Sequence, residues 1–255
     1  MTPYARRGVH GQTVETLARR VLSGEIPEGA TLDMAALQSE LDVSLTALRE
    51  SLKVLAAKGM VDARQKRGTF VRPRSDWNLL DADVLRWQFS EDSGTGADPA
   101  LLRNLGEVRG IIEPAAVRLA AARRTGADLE ALESALTAMG EQSGAHHAVE
   151  ADLAFHRALL AATHNELLER MEVVIESGLA QRDQLVHSAP HSEDPVPSHR
   201  AVLDAVRDRD ADAAENAMRA LLDQATRDLD KVSGPQTTED ADDGSAEQDK
   251  DGQAQ

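Results

Sequence analysis

Asp152 and His156 stand four residues apart in "ADLAFHRALL", a stretch otherwise dominated by Ala, Leu and Phe. On a helix this spacing stacks a carboxylate and an imidazole on one face, among apolar neighbours that favour burial. Together they offer one oxygen and one nitrogen to a divalent cation. His199, in "PVPSHRAVLDAV", is the natural third ligand because it begins another expected helix. Three such groups suit zinc, manganese or nickel, with positions left for water or an anionic ligand. Spacing alone leaves a second reading open, in which His156 is a hydrogen-bonded core histidine that holds no metal.

A second group of chemistry-bearing residues is basic and lies in the first third of the chain. Its members need three helices and a hairpin to position them. "QTVETLARRVLSG" places Val14, Leu17, Val21 and Leu22 at helical spacing and stops at Gly24. After the turn "PEGATL", Asp33 can cap a helix that puts Met34, Leu37 and Leu41 on one face. Ser44 can cap the next helix, whose stripe of Leu48, Leu52 and Leu55 ends at Gly59. "MVDARQKRGTFVR" reads as two short strands around a basic turn, Gln65 to Gly68. That order is a winged helix-turn-helix, whose second helix of the motif enters the DNA major groove. Ser44, Leu45, Thr46 and Arg49 then face the bases, with Arg49 able to pair with a guanine edge. Lys53 lies one turn on, as a phosphate contact or a solvated charge. Lys66, Arg67 and Gly68 form a small basic wing tip for minor groove or phosphate.

Charge supports this division. The 255 residues carry a formal net charge of −16. Through Arg74, however, 12 Lys and Arg outnumber 8 Asp and Glu, whereas from Ser233 onward 1 basic residue faces 7 acidic ones. A basic end on an acidic chain hints at nucleic acid. Aromatics make up only 2% of residues, which argues against base-stacking recognition of single strands or RNA and for duplex DNA. There is no cysteine, which fits a reducing compartment. No stretch approaches the roughly 20 apolar residues that span a bilayer, and no signal peptide is evident. A cytoplasmic protein without membrane contact is expected.

From Pro99 to Lys231 the chain is Ala/Leu-rich and helical in pattern. Breaks fall near Thr125-Gly126, Ser143-Gly144, His164-Asn165, "SAPHSEDPVP" and Arg209-Asp210, so six or so helices form an all-α bundle. The expected fold is mainly α, with a winged helix-turn-helix at residues 1–75 and a linker with a connecting helix at 76–99. An all-helical effector-binding and dimerisation domain follows at 100–232, then a disordered acidic tail at 233–255.

The segment "ARRVLSGEIPEGATL" with "LDVSLTALRESLKVLAAKGMVDARQKRGTFV" resembles the DNA-binding domain of the GntR family of bacterial transcription factors. Two departures stand out: Leu45 and Ala35 occupy places where the family usually has Arg. Leu45 precedes Arg49 by one turn and could meet a thymine methyl, or pack on the Arg49 stem. An operator different from the family's usual one is expected.

"EVRGIIEPAAVRLAA", "ADLAFHRALLAATHNELL" and "SHRAVLDAVRDRDADAAENAMRALL" resemble the all-helical FCD ligand-binding domain of FadR-type GntR regulators. In metal-binding members an Asp-x-x-x-His and two later His form the site. The resemblance assigns Asp152, His156 and His199 to three of these positions, while Leu221 stands at the fourth. Arg109 matches a family Arg that takes the effector's carboxylate, although an i,i+4 surface pair with Glu113 is also open. Asn165 matches a position near the pocket, or is a helix cap. "SDWNLLDADVLRWQF" looks like the linker of the gluconate- and galactonate-responsive members, with Trp77 and Trp87 packing it against both domains.

The resemblance therefore implies a homodimeric repressor, released from a palindromic operator by a sugar acid. The competing class is a metal-dependent hydrolase or other metalloenzyme built on the Asp/His/His group. Against it stand the absence of HExxH, of Gly-x-Ser-x-Gly and of a phosphate loop.

Overall fold

In the computed structural model, residues 8–89, 99–141, 145–176, 178–179 and 194–233 are described. Expectations for 90–98, for the break at 143–144, for most of "SAPHSEDPVP" and for the acidic tail beyond Ser233 lie outside these residues.

Three helices begin the chain: α1 (Val9–Leu22), α2 (Met34–Glu40) and α3 (Leu45–Ala57). Their starts follow from local chemistry. Asp33 accepts from Ala35 N and Ala36 N at 2.9 and 3.0 Å, and Ser44 Oγ from Ala47 N at 3.1 Å. Each satisfies amides that the first turn leaves without partners. After α3, Gly59 takes φ +76, and a Cβ there would lie 2.4 Å from the Asp76 carbonyl oxygen. Glycine is required both by the left-handed turn and by that approach.

Strands β1 (Val61–Arg64) and β2 (Gly68–Val71) pair antiparallel, from Val61 opposite Val71 to Arg64 opposite Gly68. The turn is thus Gln65–Arg67, and Gly68 already belongs to the ladder. Lys66 carries the turn with φ +70. Thr31 adds an isolated bridge to Phe70, tying the α1–α2 connection to the hairpin.

A 3-10 turn at Arg74–Asp76 leads into α4 (Ala82–Phe89). Here one expectation is corrected. Trp77 and Trp87 do not divide between domains, because both join Val84 in the core formed by α1, α3 and the hairpin. Leu85 and Phe89, on another face of α4, meet Leu102, Val173, Val174 and Leu229 of the helical region. A short helix buries several faces, and the two bulkiest rings fill the nearer, larger core. Lys58 fixes α4 in place, with Nζ 2.5 Å from Asp81 Oδ1, 2.9 Å from Asp83 Oδ2 and 5.5 Å from the Trp87 ring centroid.

The helical region comprises α5 (Pro99–Arg123), α6 (Gly126–Gly140), α7 (Ala145–Ala161), α8 (Glu166–Arg170), α9 (Val196–Arg207) and α10 (Ala211–Ser233). A short helical stretch at 172–176 follows α8. Helix α5 lies along α10, α6 along α7, and α9 against α10. Leu132 and Leu136 of α6, Phe155 of α7, Leu203 of α9 and Met218 of α10 fill the core between them. Thr125 and Asp128 form a reciprocal capping box at the start of α6. The breaks expected near residues 125, 164 and 209 coincide with helix ends.

Candidate metal centre and DNA-reading face

Three helices bring five ionisable side chains together inside the bundle. Helix periodicity puts Arg109 and Glu113 on one face of α5, and Asp152 and His156 on one face of α7. His199 comes from the first turn of α9. All five are less than 10% exposed.

Arg109 Nε donates to Glu113 Oε1 at 2.5 Å, and Arg109 Nη2 donates to His156 Nε2 at 3.1 Å. His156 Nδ1 lies 2.8 Å from Glu113 Oε2, and His156 Nε2 lies 3.7 Å from Asp152 Oδ2. His199 Nε2 is 2.9 Å from Asp152 Oδ1. Burial pushes the Glu113 carboxyl up, but the Arg109 guanidinium and the His156 imidazole outweigh it and hold Glu113 down at about 2.

The tautomer of His199 shows what this arrangement suits. Its Nδ1 lies 2.8 Å from the Pro195 carbonyl oxygen, which can only accept, so Nδ1 carries the proton. Nε2 is left with a lone pair, makes no hydrogen bond, and faces a carboxylate oxygen. Two acceptors at 2.9 Å are stabilised by a second ring proton or by a cation. One ligand atom each from Asp152, His156 and His199 lies within 4.8 Å of the others. A buried O/N/N set, with a His199 nitrogen that makes no hydrogen bond, fits a divalent cation. The Phe155 ring meets the edge of His199 at 4.9 Å between centroids and helps to hold it. Leu221 is buried in the bundle core and supplies no ligand atom.

A cavity of about 40 Å³ opens on the α10 side of Arg109, lined also by Leu102, Leu105, Gly106, Leu222, Ala225, Thr226 and Leu229. By the same measure one water needs about 10–15 Å³, so the space admits a few waters or a small polar group. Asn165 is not in its wall. That side chain caps α8, accepting from Leu167 N at 3.1 Å.

At the other end of the chain, the cap Ser44 and, on α3, Leu45, Thr46, Arg49 and Lys53 are all exposed, while Leu48, Leu52 and Leu55 are buried. Ser44 Oγ is committed to its cap, and Lys53 Nζ pairs with Glu50 at 2.7 Å. Lys66 stands exposed at the hairpin tip. Arg67 is folded back instead: its guanidinium lies 3.6 Å over the Phe70 ring and donates to the Gly29 carbonyl at 3.0 Å.

Comparison with known proteins gives this arrangement a context. Residues 10–71 match the bacterial regulatory proteins of the gntR family, and residues 104–224 match the FCD domain. The chain is 36% identical over 225 residues to the galactonate operon transcriptional repressor of Escherichia coli strain K12, spanning 86% of this chain and 96% of that one. The chain belongs to the GntR family. A further relative is the HTH-type transcriptional repressor NanR of Cronobacter sakazakii, 29% identical over 86% of this chain and 85% of its own. The solved structure of Listeria monocytogenes Lar, 16% identical, shares the fold with TM-score 0.61 over 89% of this chain and 98% of that one. This GntR protein is a ligand-responsive, DNA-binding transcriptional regulator built from a winged helix-turn-helix and a helical FCD domain.

The structure thus brings together Asp152, His156, His199 and Arg109 from four sequence positions, and shows Asn165 as a helix cap. Sequence reading missed Glu113, which it saw as a surface partner of Arg109. The i,i+4 spacing was visible, but burial of the pair against α7 was not.

Proposed function

We propose that this regulator represses an operon for sugar-acid catabolism in the cytoplasm, and that a gluconate- or galactonate-like acid releases it from DNA. The observation that carries this reading is a buried Arg109 at a cavity wall, beside an Asp/His/His cluster, in a chain 36% identical to a galactonate operon repressor. An arginine fork holds a carboxylate bidentately, and burial strengthens that contact. Asp152, His156 and His199 are the residues that would hold zinc, manganese or nickel. Bound there, the metal would supply a Lewis-acidic centre for a carboxylate and its neighbouring hydroxyl.

Arg49, Leu45 and Thr46 are assigned to base edges. Ser44, Lys53, Lys66, Arg67 and Gly68 are assigned to backbone positioning on the duplex. Residues 1–75 form the DNA-binding unit, 76–99 the link and 100–232 the effector unit, with 233–255 an acidic tail. Two copies related by a twofold axis engage a palindromic operator.

The experiment is a thermal-shift titration of the full chain with gluconate and galactonate, with and without chelator. A ligand at about 100 times its Kd stabilises the native state by about 2.7 kcal/mol. A shift lost with chelator supports the metal-centred reading. A shift that survives chelator assigns the acid to Arg109 alone. No shift with either acid rejects the sugar-acid reading.

A further inference from the structure

The Nε2 nitrogen of His156 has one lone pair and two claimants. A guanidinium has no acceptor, so the 3.1 Å contact with Arg109 Nη2 runs one way: Arg109 donates and Nε2 accepts. The remaining ring proton therefore sits on Nδ1, which faces Glu113 Oε2 at 2.8 Å. Nε2 is also the nitrogen turned towards Asp152, and so the atom His156 brings to the Asp152–His156–His199 cluster. A single sp² lone pair serves one partner at a time.

We propose that Arg109 and a divalent cation are alternative occupants of His156 Nε2, so that metal loading turns the Arg109 terminal nitrogens out of the network and towards the cavity. This rests on reading the three residues as a metal site. Room for the movement is present. Arg109 lines the cavity, and side chains on a helix lean towards its N-terminus, which lays Arg109 over Gly106. A Cβ built at Gly106 meets nothing within 4 Å, so the space beside Arg109 is open. The 2.5 Å contact of Arg109 Nε with Glu113 Oε1 is the pivot of the movement.

Two consequences follow from linkage. The Arg109-closed state lowers the apparent metal affinity by the fraction of molecules in which Nε2 is taken. A carboxylate that captures the outward Arg109 favours the metal-loaded state, so acid and metal assist each other, and reciprocally.

The test is chelator-competition titration of zinc into the full chain, wild type and Arg109→Met. Methionine keeps a long apolar stem without a donor or charge. It is paired with side-chain ¹⁵N NMR of Arg109 in the wild type, which needs no variant to fold. Expected are zinc binding at least tenfold tighter in R109M, and faster Nη rotation and water exchange of Arg109 when zinc is added. Equal or weaker zinc binding in folded R109M overturns the proposal while leaving the metal site standing. Tighter binding with an unchanged Arg109 signal also overturns it, because the effect is then charge repulsion alone. Zinc uptake by neither protein removes the metal reading and the proposal with it. Uptake by R109M alone supports the exchange most directly.

Discussion

Counted over Arg109, Glu113 and Asp152, the formal charges of the buried cluster sum to minus one. A divalent cation would bring it to plus one, a charge that an incoming carboxylate would neutralise. Buried charges are tolerated when so balanced and are costly otherwise, which connects the cluster to an anionic effector. His199→Ala removes one of the three proposed ligands. Loss of a partner outside the ligand shell already weakens metal binding by about 10–100-fold, so this variant should lose more than about 100-fold in chelator competition. Leu221→His, at the position that the family resemblance assigns to a fourth ligand, should tighten zinc by at least about tenfold, or about 1.4 kcal/mol. The grouping of Asp152, His156 and His199 was legible because two lie at helical spacing and the third opens a helix. Glu113 was not, since local pattern cannot say that α7 covers that face of α5.

Helix termini carry much of the local order. Burial pushes the Asp128 carboxyl up, yet the Thr125 backbone N–H and hydroxyl, with His164, hold it below the ordinary carboxylate range. A lowered folded-state pKa contributes stability above the unfolded value, and that stability is lost as pH falls through the folded value. Asp128→Asn should therefore flatten the acid limb of the melting-temperature profile and cost about 0.5–2 kcal/mol near neutral pH. Gly59→Ala combines a positive φ with a 2.4 Å approach to the Asp76 carbonyl. It should destabilise the chain by at least about 1–3 kcal/mol in chemical denaturation. Asp33, Ser44 and the Gly59 stop were readable from sequence because each acts on its own neighbours. The placement of Trp77 and Trp87 was not, since it depends on tertiary packing in the core of the winged unit.

At the scale of the whole molecule, DNA reading and effector sensing sit in separate cores, and their failures should separate too. Arg49→Ala should abolish operator binding in a mobility-shift assay while leaving any acid-induced thermal shift unchanged. Lys66→Ala should weaken binding to all sequences alike and lower the salt slope by about one. Among the described residues no helix is long and apolar enough to cross a membrane. The two-part architecture was legible from charge asymmetry and the change from helix–hairpin to all-helix pattern, whereas the join was not, being made by tertiary contacts. That join has a practical meaning for exchanging modules between regulators. Because Trp77, Val84 and Trp87 complete the core of the winged unit, a chimaera spliced ahead of them would graft a DNA reader with its own keystone missing. A splice after Phe89 would carry the reader whole, and would also bring Leu85 and Phe89, the surface that its new sensor must be cut to fit.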